Sequence, residues 1–184
     1  MDWRGTEIDV GEGVRLRAWR ADDLEALLRH ADDEQVSRGV SDRFPWPYTR
    51  ADGEAFLAGK VIDFDAGPAF AIDLNGEALG SIGARPGQAE RRHSAEFGYW
   101  LGREHWGRGL MTRIVSAFAP WAMRELRLYR LQASVLDFNF GSARVLEKNG
   151  FIEEGLQRKA VFKRGRVHDL RTFAKTREAL DNGT

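Results

Sequence analysis

The sequence predicts a mixed α/β fold, and three observations carry that reading. Short runs in which apolar and polar residues alternate are interleaved with stretches whose apolar residues recur at helical spacing. An Asn-Gly pair joins two of the apolar runs, which marks an antiparallel hairpin. No low-complexity segment, Ser/Gly linker or fixed-period repeat divides the chain, so its elements are expected to share one domain over residues 1–184.

Taken in order, Val14, Leu16 and Ala18 alternate with Arg15 and Arg17, which predicts a half-exposed strand. Asp22 or Asp23 then caps a helix carrying Leu24, Leu27 and Leu28. In "RFPWPYTRADGEAFL" two prolines mark a loop, after which Thr49 caps a helix through Phe56 and Leu57. "AFAIDLNGEALGSIGAR" is the hairpin, turning at Asn75-Gly76. A strand fits "AEFGYWL", residues 95–101, and a helix follows in which Leu110, Ile114, Val115, Phe118, Ala122 and Leu126 share a face. Pro120 is expected to kink that helix. "LYRLQASV" is a strand with Leu131, Ala133 and Val135 on one side, and "NFGSARVLEKNG" is a short helix opening on Asn139 and closing on Gly150. Two last strands, Phe151 to Phe162 and Val167 to Lys175, meet at "KRGR". The result is a mixed, mostly antiparallel sheet of about six to seven strands flanked by helices.

Composition narrows the function. There is no cysteine, so disulfides, thiolate metal sites and cysteine nucleophiles are excluded, and His30, His93, His105 and His168 show no close metal-ligand spacing. No metal is therefore expected. No apolar run approaches the roughly twenty residues of a membrane span, and the start MDWRGTEIDV has neither a cationic leader nor an apolar stretch. The expectation is a cytoplasmic protein without a membrane partner. Net charge is zero, yet residues 1–92 hold 12 basic against 18 acidic residues and residues 93–184 hold 16 against 10. Either the surface is solvated, with charges pairing across the fold, or the two halves serve ligands of opposite sign. No basic stripe interleaved with aromatics points to nucleic acid.

One stretch asks for a ligand. In "EHWGRGLMTR", residues 104–113, Gly107 and Gly109 stand at the mouth of a predicted helix. The first N–H groups of a helix lack internal acceptors and carry partial positive charge, so a start with little side-chain bulk binds phosphate well. Arg103 and Arg108 would add charge at its rim. A plain tight turn is the alternative. A dinucleotide fingerprint needs a third glycine where Thr112 stands, and a phosphate loop needs Gly-Lys-Ser/Thr, which is missing.

The order of strand, G-x-G turn, helix, strand and Asn-led helix, with "FGYWLGREHWGRGLMT" (97–112) and "NFGSARVLEKNGFIEEG" (139–155), resembles the GNAT superfamily of N-acetyltransferases. It is most similar to the branch that includes the RimJ/RimL ribosomal-protein N-terminal acetyltransferases. The likeness is strong over residues 95–175 and weaker over 13–85, although "PWPYTRADGEAFL" also looks like this branch.

That resemblance implies an acetyl-CoA-dependent enzyme whose fourth and fifth strands splay apart to admit the pantetheine arm. The N–H groups of Trp106, Gly107, Arg108, Gly109, Leu110, Met111 and Thr112 would hold the pyrophosphate. The backbone of Trp100 and Leu101 would pair with the arm like an added strand, with Asn139 and Ser142 binding from the opposite side. The acceptor would be a primary amine, either a protein or peptide N-terminus or a small molecule, and the molecule a monomer or homodimer.

Direct acetyl transfer in a ternary complex needs a neutral amine, a polarised thioester and a leaving thiolate that becomes protonated. An α-amino group with a pKa of about 7.7 to 8.0 needs only a carboxylate acting through water, and Glu96 is the candidate. Its other role would be a solvent-facing strand residue. Backbone N–H groups near Tyr99 to Leu101 would stabilise the oxyanion.

The sequence departs from the family in three places. Leu146 stands where many members carry the acid tyrosine, so Ser142 is either the substitute acid or a capping residue. Glu104 stands where many carry Arg or Gln. Val161 stands where some RimL-type enzymes carry a glutamate. His105, His168 and Asp169 lie near motif residues but read as surface or packing groups, and Phe44, Trp46 and Tyr48 lie in the loop expected to wall the acceptor site. Two rival readings follow: a non-catalytic acyl-CoA-binding or regulatory domain, fed by the missing tyrosine, and an acyltransferase using succinyl-CoA.

Overall fold

The computed structural model describes residues 3–178. Along the chain run β1 (Ile8–Gly11), β2 (Val14–Arg17), α1 (Leu24–Ala31), α2 (Glu34–Arg38), α3 (Arg50–Leu57), β3 (Ala69–Leu74), β4 (Glu77–Pro86) and β5 (Ser94–Leu101). They are followed by α4 (Leu110–Glu125), β6 (Arg130–Leu136), α5 (Phe140–Lys148), β7 (Ile152–Lys163) and β8 (Arg166–Thr176). The strands join one sheet in the order β1-β2-β3-β4-β5-β6-β8-β7. Among the described residues eight strands replace the six to seven expected. The extra one is β1, four residues long and half-exposed, whose pattern is too short to signal a strand alone.

The fold groups into two compact units, one of residues up to 83 with 99–110, the other of residues 84–98 with 111 onward; β4 and β5 contribute to both. In the first, β2, β3 and β4 pair antiparallel, with Leu16 opposite Ile72 and Leu74 opposite Glu77. The turn between β3 and β4 holds Asn75 at φ 53° and Gly76 at φ 97°, the two positive angles a two-residue hairpin turn requires. Leu16, Phe70, Ile72 and Ile82 are fully buried beneath it. Leu27 and Ala31 of α1 form a second cluster with Tyr48, against which Trp19, Phe44, Phe56 and Trp100 pack. Thr49 caps α3 as its sequence predicts, accepting from Asp52 N while Asp52 bonds back to Thr49 N.

Arg17 corrects the half-exposed reading of its strand, because its side chain is buried. Its guanidinium meets both oxygens of Asp23 at 2.7 Å and Asp73 Oδ2 at 2.7 Å. Two carboxylates compensate a charge that alternation alone would turn to water.

In the second unit β6 pairs parallel with β5 and antiparallel with β8, and β7 closes the edge. Ile114, Val115 and Phe118 of α4, Leu131 of β6, Leu146 of α5 and Phe173 of β8 are core residues. Phe97 lies between Phe118, at 6.3 Å, and Phe151, at 5.2 Å. Helix α4 runs as one element through Pro120, whose side is exposed. The registered pairs of β5 and β6 are Ser94–Arg130, Ala95–Leu131 and Glu96–Gln132, although β5 continues to Leu101 and β6 to Leu136. These are the fourth and fifth strands of the sequence reading, and their registered pairing runs as far as Glu96–Gln132.

Candidate active site

The G-x-G turn forms where the pattern places it. A single 3-10 turn over Arg103–His105 leads from β5 to Trp106, and α4 begins at Leu110. Gly107 and Gly109 have φ of 75° and 76°, and a Cβ at either would meet no atom within 4 Å. The backbone angle, not crowding, selects glycine here. Trp106 Nε1 donates to Leu101 O at 2.7 Å, so the turn is tied to the end of β5 by one of its own side chains. Leu101 and Leu110 are buried, while Trp106 through Gly109 are exposed. The first-turn N–H groups of α4 lack intrahelical acceptors and bear the positive end of a sixteen-residue helix. Met111 is buried under that turn and Thr112 is half-buried, its carbonyl accepting from Asn149 Nδ2 at 3.2 Å.

A close approach fixes the end of β5. A Cβ on Gly80 of β4 would lie 2.2 Å from Trp100 O and 2.9 Å from Leu101 Cα. Gly102 N donates to Leu79 O at 2.8 Å on the same side. The carbonyl edge of Trp100 is therefore held against β4, and no larger residue fits at 80 without moving it.

The candidates of the second unit are Glu96, Asn139 and Ser142. Glu96 lies on the exposed face of β5, between buried Ala95 and Phe97. Asn139 caps α5, its Oδ1 accepting from Ser142 N at 3.2 Å, so these two residues meet through the cap. Leu146, where the family resemblance leads one to expect a tyrosine, is fully buried and therefore a core position here. Val161 sits on β7 opposite His168, where register offers no carboxylate.

The remaining notable groups have structural partners. His168 Nδ1 lies 3.2 Å from Asp137 Oδ1 and its ring packs edge-on against Phe138, while Asp169 Oδ1 accepts from Lys159 N at 2.8 Å. Phe44 contacts Tyr48 and Trp100 at ring distances of 5.0 and 5.2 Å, and burial pushes the Tyr48 phenol up to about 12. Phe44 and Tyr48 are thus packing residues, whereas Trp46 is largely exposed. Beside the G-x-G turn, His105 lies with its ring 5.5 Å from that of His30. Burial holds the His105 imidazole below its ordinary range, against a smaller opposing pull from Glu104. The spacing of the sequence gives no sign of His30 in this group, because it arrives from α1.

With that geometry in view, comparison with known proteins is decisive about class. The acetyltransferase (GNAT) domain model matches residues 14–152. The ribosomal-protein-serine acetyltransferase of Escherichia coli is 30% identical over 173 residues, 91% of this chain and 95% of that protein. Probable N-acetyltransferase YjcK of Bacillus subtilis is 43% identical over 81 residues, a match spanning less than half of either chain, 44% of this one and 45% of the other. Among solved structures, the RimL ribosomal L7/L12 alpha-N-protein acetyltransferase in complex with coenzyme A superposes with a TM-score of 0.81 at 20% identity, covering 93% of this chain and 98% of that one. The chain belongs to the GNAT acetyltransferase family and is an acyl-CoA-dependent acetyltransferase with acetyl-CoA as its co-substrate. Within the family it is RimJ/RimL-like.

Proposed function

We propose that the protein transfers the acetyl group of acetyl-CoA directly to an α-amino group, a protein or peptide N-terminus, in a ternary complex. The observation that carries this reading is the pair of left-handed glycines at the head of α4, within a chain of RimJ/RimL-like kinship. On this reading the amides of Trp106 to Thr112 hold the pyrophosphate, the backbone of Trp100 and Leu101 pairs with the pantetheine arm, and Asn139 and Ser142 bind it from α5. The amine nitrogen attacks the thioester carbon. Its proton passes through water to Glu96, the carbon–sulfur bond breaks, and the departing thiolate takes a proton from the Ser142 hydroxyl, which solvent restores. The acidic balance of residues 1–92 favours a cationic acceptor. On the same reading residues 1–184 serve as a single acetyltransferase domain. A cytoplasmic location fits a cysteine-free chain in whose described residues no helix is long and apolar enough to cross a membrane.

The measurement is thiol release from acetyl-CoA across a panel of N-terminal peptides, amino acids and polyamines. N-terminal peptides are expected to turn over fastest, with a rate that rises to a plateau through about pH 8, the α-amino range. Glu96→Gln is expected to lower kcat by on the order of a hundredfold while acetyl-CoA binding is unchanged. Bound coenzyme with no acceptor above background would return the reading to a regulatory acyl-CoA-binding domain. Preference for succinyl-CoA would change the donor.

A further inference from the structure

We propose that His30, Glu104 and His105 form a binding site for a zinc-class divalent cation, with His30 on α1 and the other two on the turn ahead of the glycines. Glu104 is the family departure that the acetyl-transfer reading leaves unexplained, and it lies between two histidines. Its Oε1 is 3.2 Å from His30 Nδ1 and 3.6 Å from His105 Nε2, and one ligand atom from each residue lies within 4.8 Å of the others. Tetrahedral zinc with bonds of about 2.0 Å holds its ligand atoms roughly 3.3 Å apart. The cluster needs only small side-chain adjustments to meet that spacing.

Two further features point to a ligand. His30 is almost wholly buried, and its Nε2 lies 2.9 Å from Glu77 Oε1, a carboxylate that Arg29 also holds. A ligating imidazole characteristically donates its other ring N–H to a carboxylate, which orients the ring and raises its basicity. Glu77 fills that role and leaves Nδ1 turned toward Glu104. The second feature is His105 Nε2, which is buried without a hydrogen-bond partner. The contacts of His30 with Glu77 and Glu104 account for two of the three but leave His105 Nε2 unsatisfied. A cation satisfies all three. Two imidazoles and one carboxylate favour zinc over calcium or magnesium, which prefer all-oxygen sets, and they leave a fourth position for water. Glu104 is 63% exposed, so an ion reaches the site from solvent. The sequence offers no spacing signal because His30 and the Glu104-His105 pair come from distant elements.

The experiment titrates ZnCl2 into the chelator-stripped full chain by calorimetry in a phosphate-free buffer and follows Tm in parallel. Wild type is expected to bind about one equivalent and to gain Tm with zinc. Glu104→Gln and His105→Gln are expected to weaken binding on the order of tenfold or more and to lose the Tm gain. His168→Gln, which removes the imidazole beside Asp137, is expected to bind as wild type. Cobalt(II) loaded into wild type is expected to show the intense visible bands of a four-coordinate ion. No zinc binding by wild type, unchanged binding in both turn variants, or an octahedral cobalt spectrum would each overturn the proposal.

Discussion

At the scale of single residues, Gly107 and Gly109 repay the closest reading. Both lie at positive φ with open space before the missing Cβ, so a larger residue is penalised through the backbone. A β-branched side chain in that region costs of order 1 to 3 kcal/mol, and relief of the strain turns the local amides away from their present direction. Gly109→Val is therefore expected to leave a folded protein of lower Tm that no longer gains Tm from acetyl-CoA. A variant that keeps the coenzyme's full stabilising effect removes the phosphate site from this turn. Gly80 makes the contrasting case: crowding by Trp100 O, not backbone angle, demands glycine there, and nothing in the alternation of its strand announces it.

At the scale of elements, local signals that close within a few residues were readable from the sequence. The Thr49-Asp52 cap, the Asn75-Gly76 turn and the Asn139 cap with its terminal Gly150 all appear where propensity puts them, because each is a bond between near neighbours. Features that depend on distant partners were not. The β1 strand exists because β2 offers it an edge, Arg17 is buried because Asp73 of β3 and Asp23 before α1 receive it, and His30 meets His105 only through the fold. The candidate site divides the same way. The glycine turn was legible, whereas the burial of Leu146 and the contacts of Glu104 were not. Asn139 tests how a cap and a ligand contact share one side chain. Asn139→Asp keeps a good N-cap, so stability is expected to change by less than about 0.5 kcal/mol. Acetyl-CoA affinity is expected to fall, because the carboxylate cannot donate as the amide does. Calorimetric binding beside urea unfolding separates the two, and equal affinity would confine Asn139 to capping α5.

At the scale of the whole molecule, ion pairs that close within each half of the chain leave that half's net charge unchanged. Arg17 with Asp23 and Asp73 is the deepest of them, and Arg130 with Glu154 and Arg171 with Glu153 lie near the surface on β6, β7 and β8. Surface pairs of that kind contribute little, because solvent screens them. The buried hub is different. Burial alone would raise the Asp73 carboxyl, but the Gly76 N–H and the Arg17 guanidinium outweigh it and hold the group below its usual 3.8. A folded pKa below the unfolded one means that the unfolded chain binds more protons in the window between them, so stability rises with pH there. The contribution is complete above about pH 5 and is lost as pH falls through 3.8 toward the folded value. Urea unfolding at pH 7, 5 and 3 is expected to show a plateau and then a loss, and Asp73→Asn to flatten that loss while lowering stability at pH 7. Arg17→Met tests the same hub from its cationic side: it strands two buried carboxylates, so a loss of roughly 3 to 5 kcal/mol is expected at pH 7. Because Asp73 then loses the guanidinium that favours its charged form, the deficit should shrink as the solution is acidified. A deficit that stays constant from pH 7 to 3 would show that Arg17 is held by packing and not by its two carboxylates.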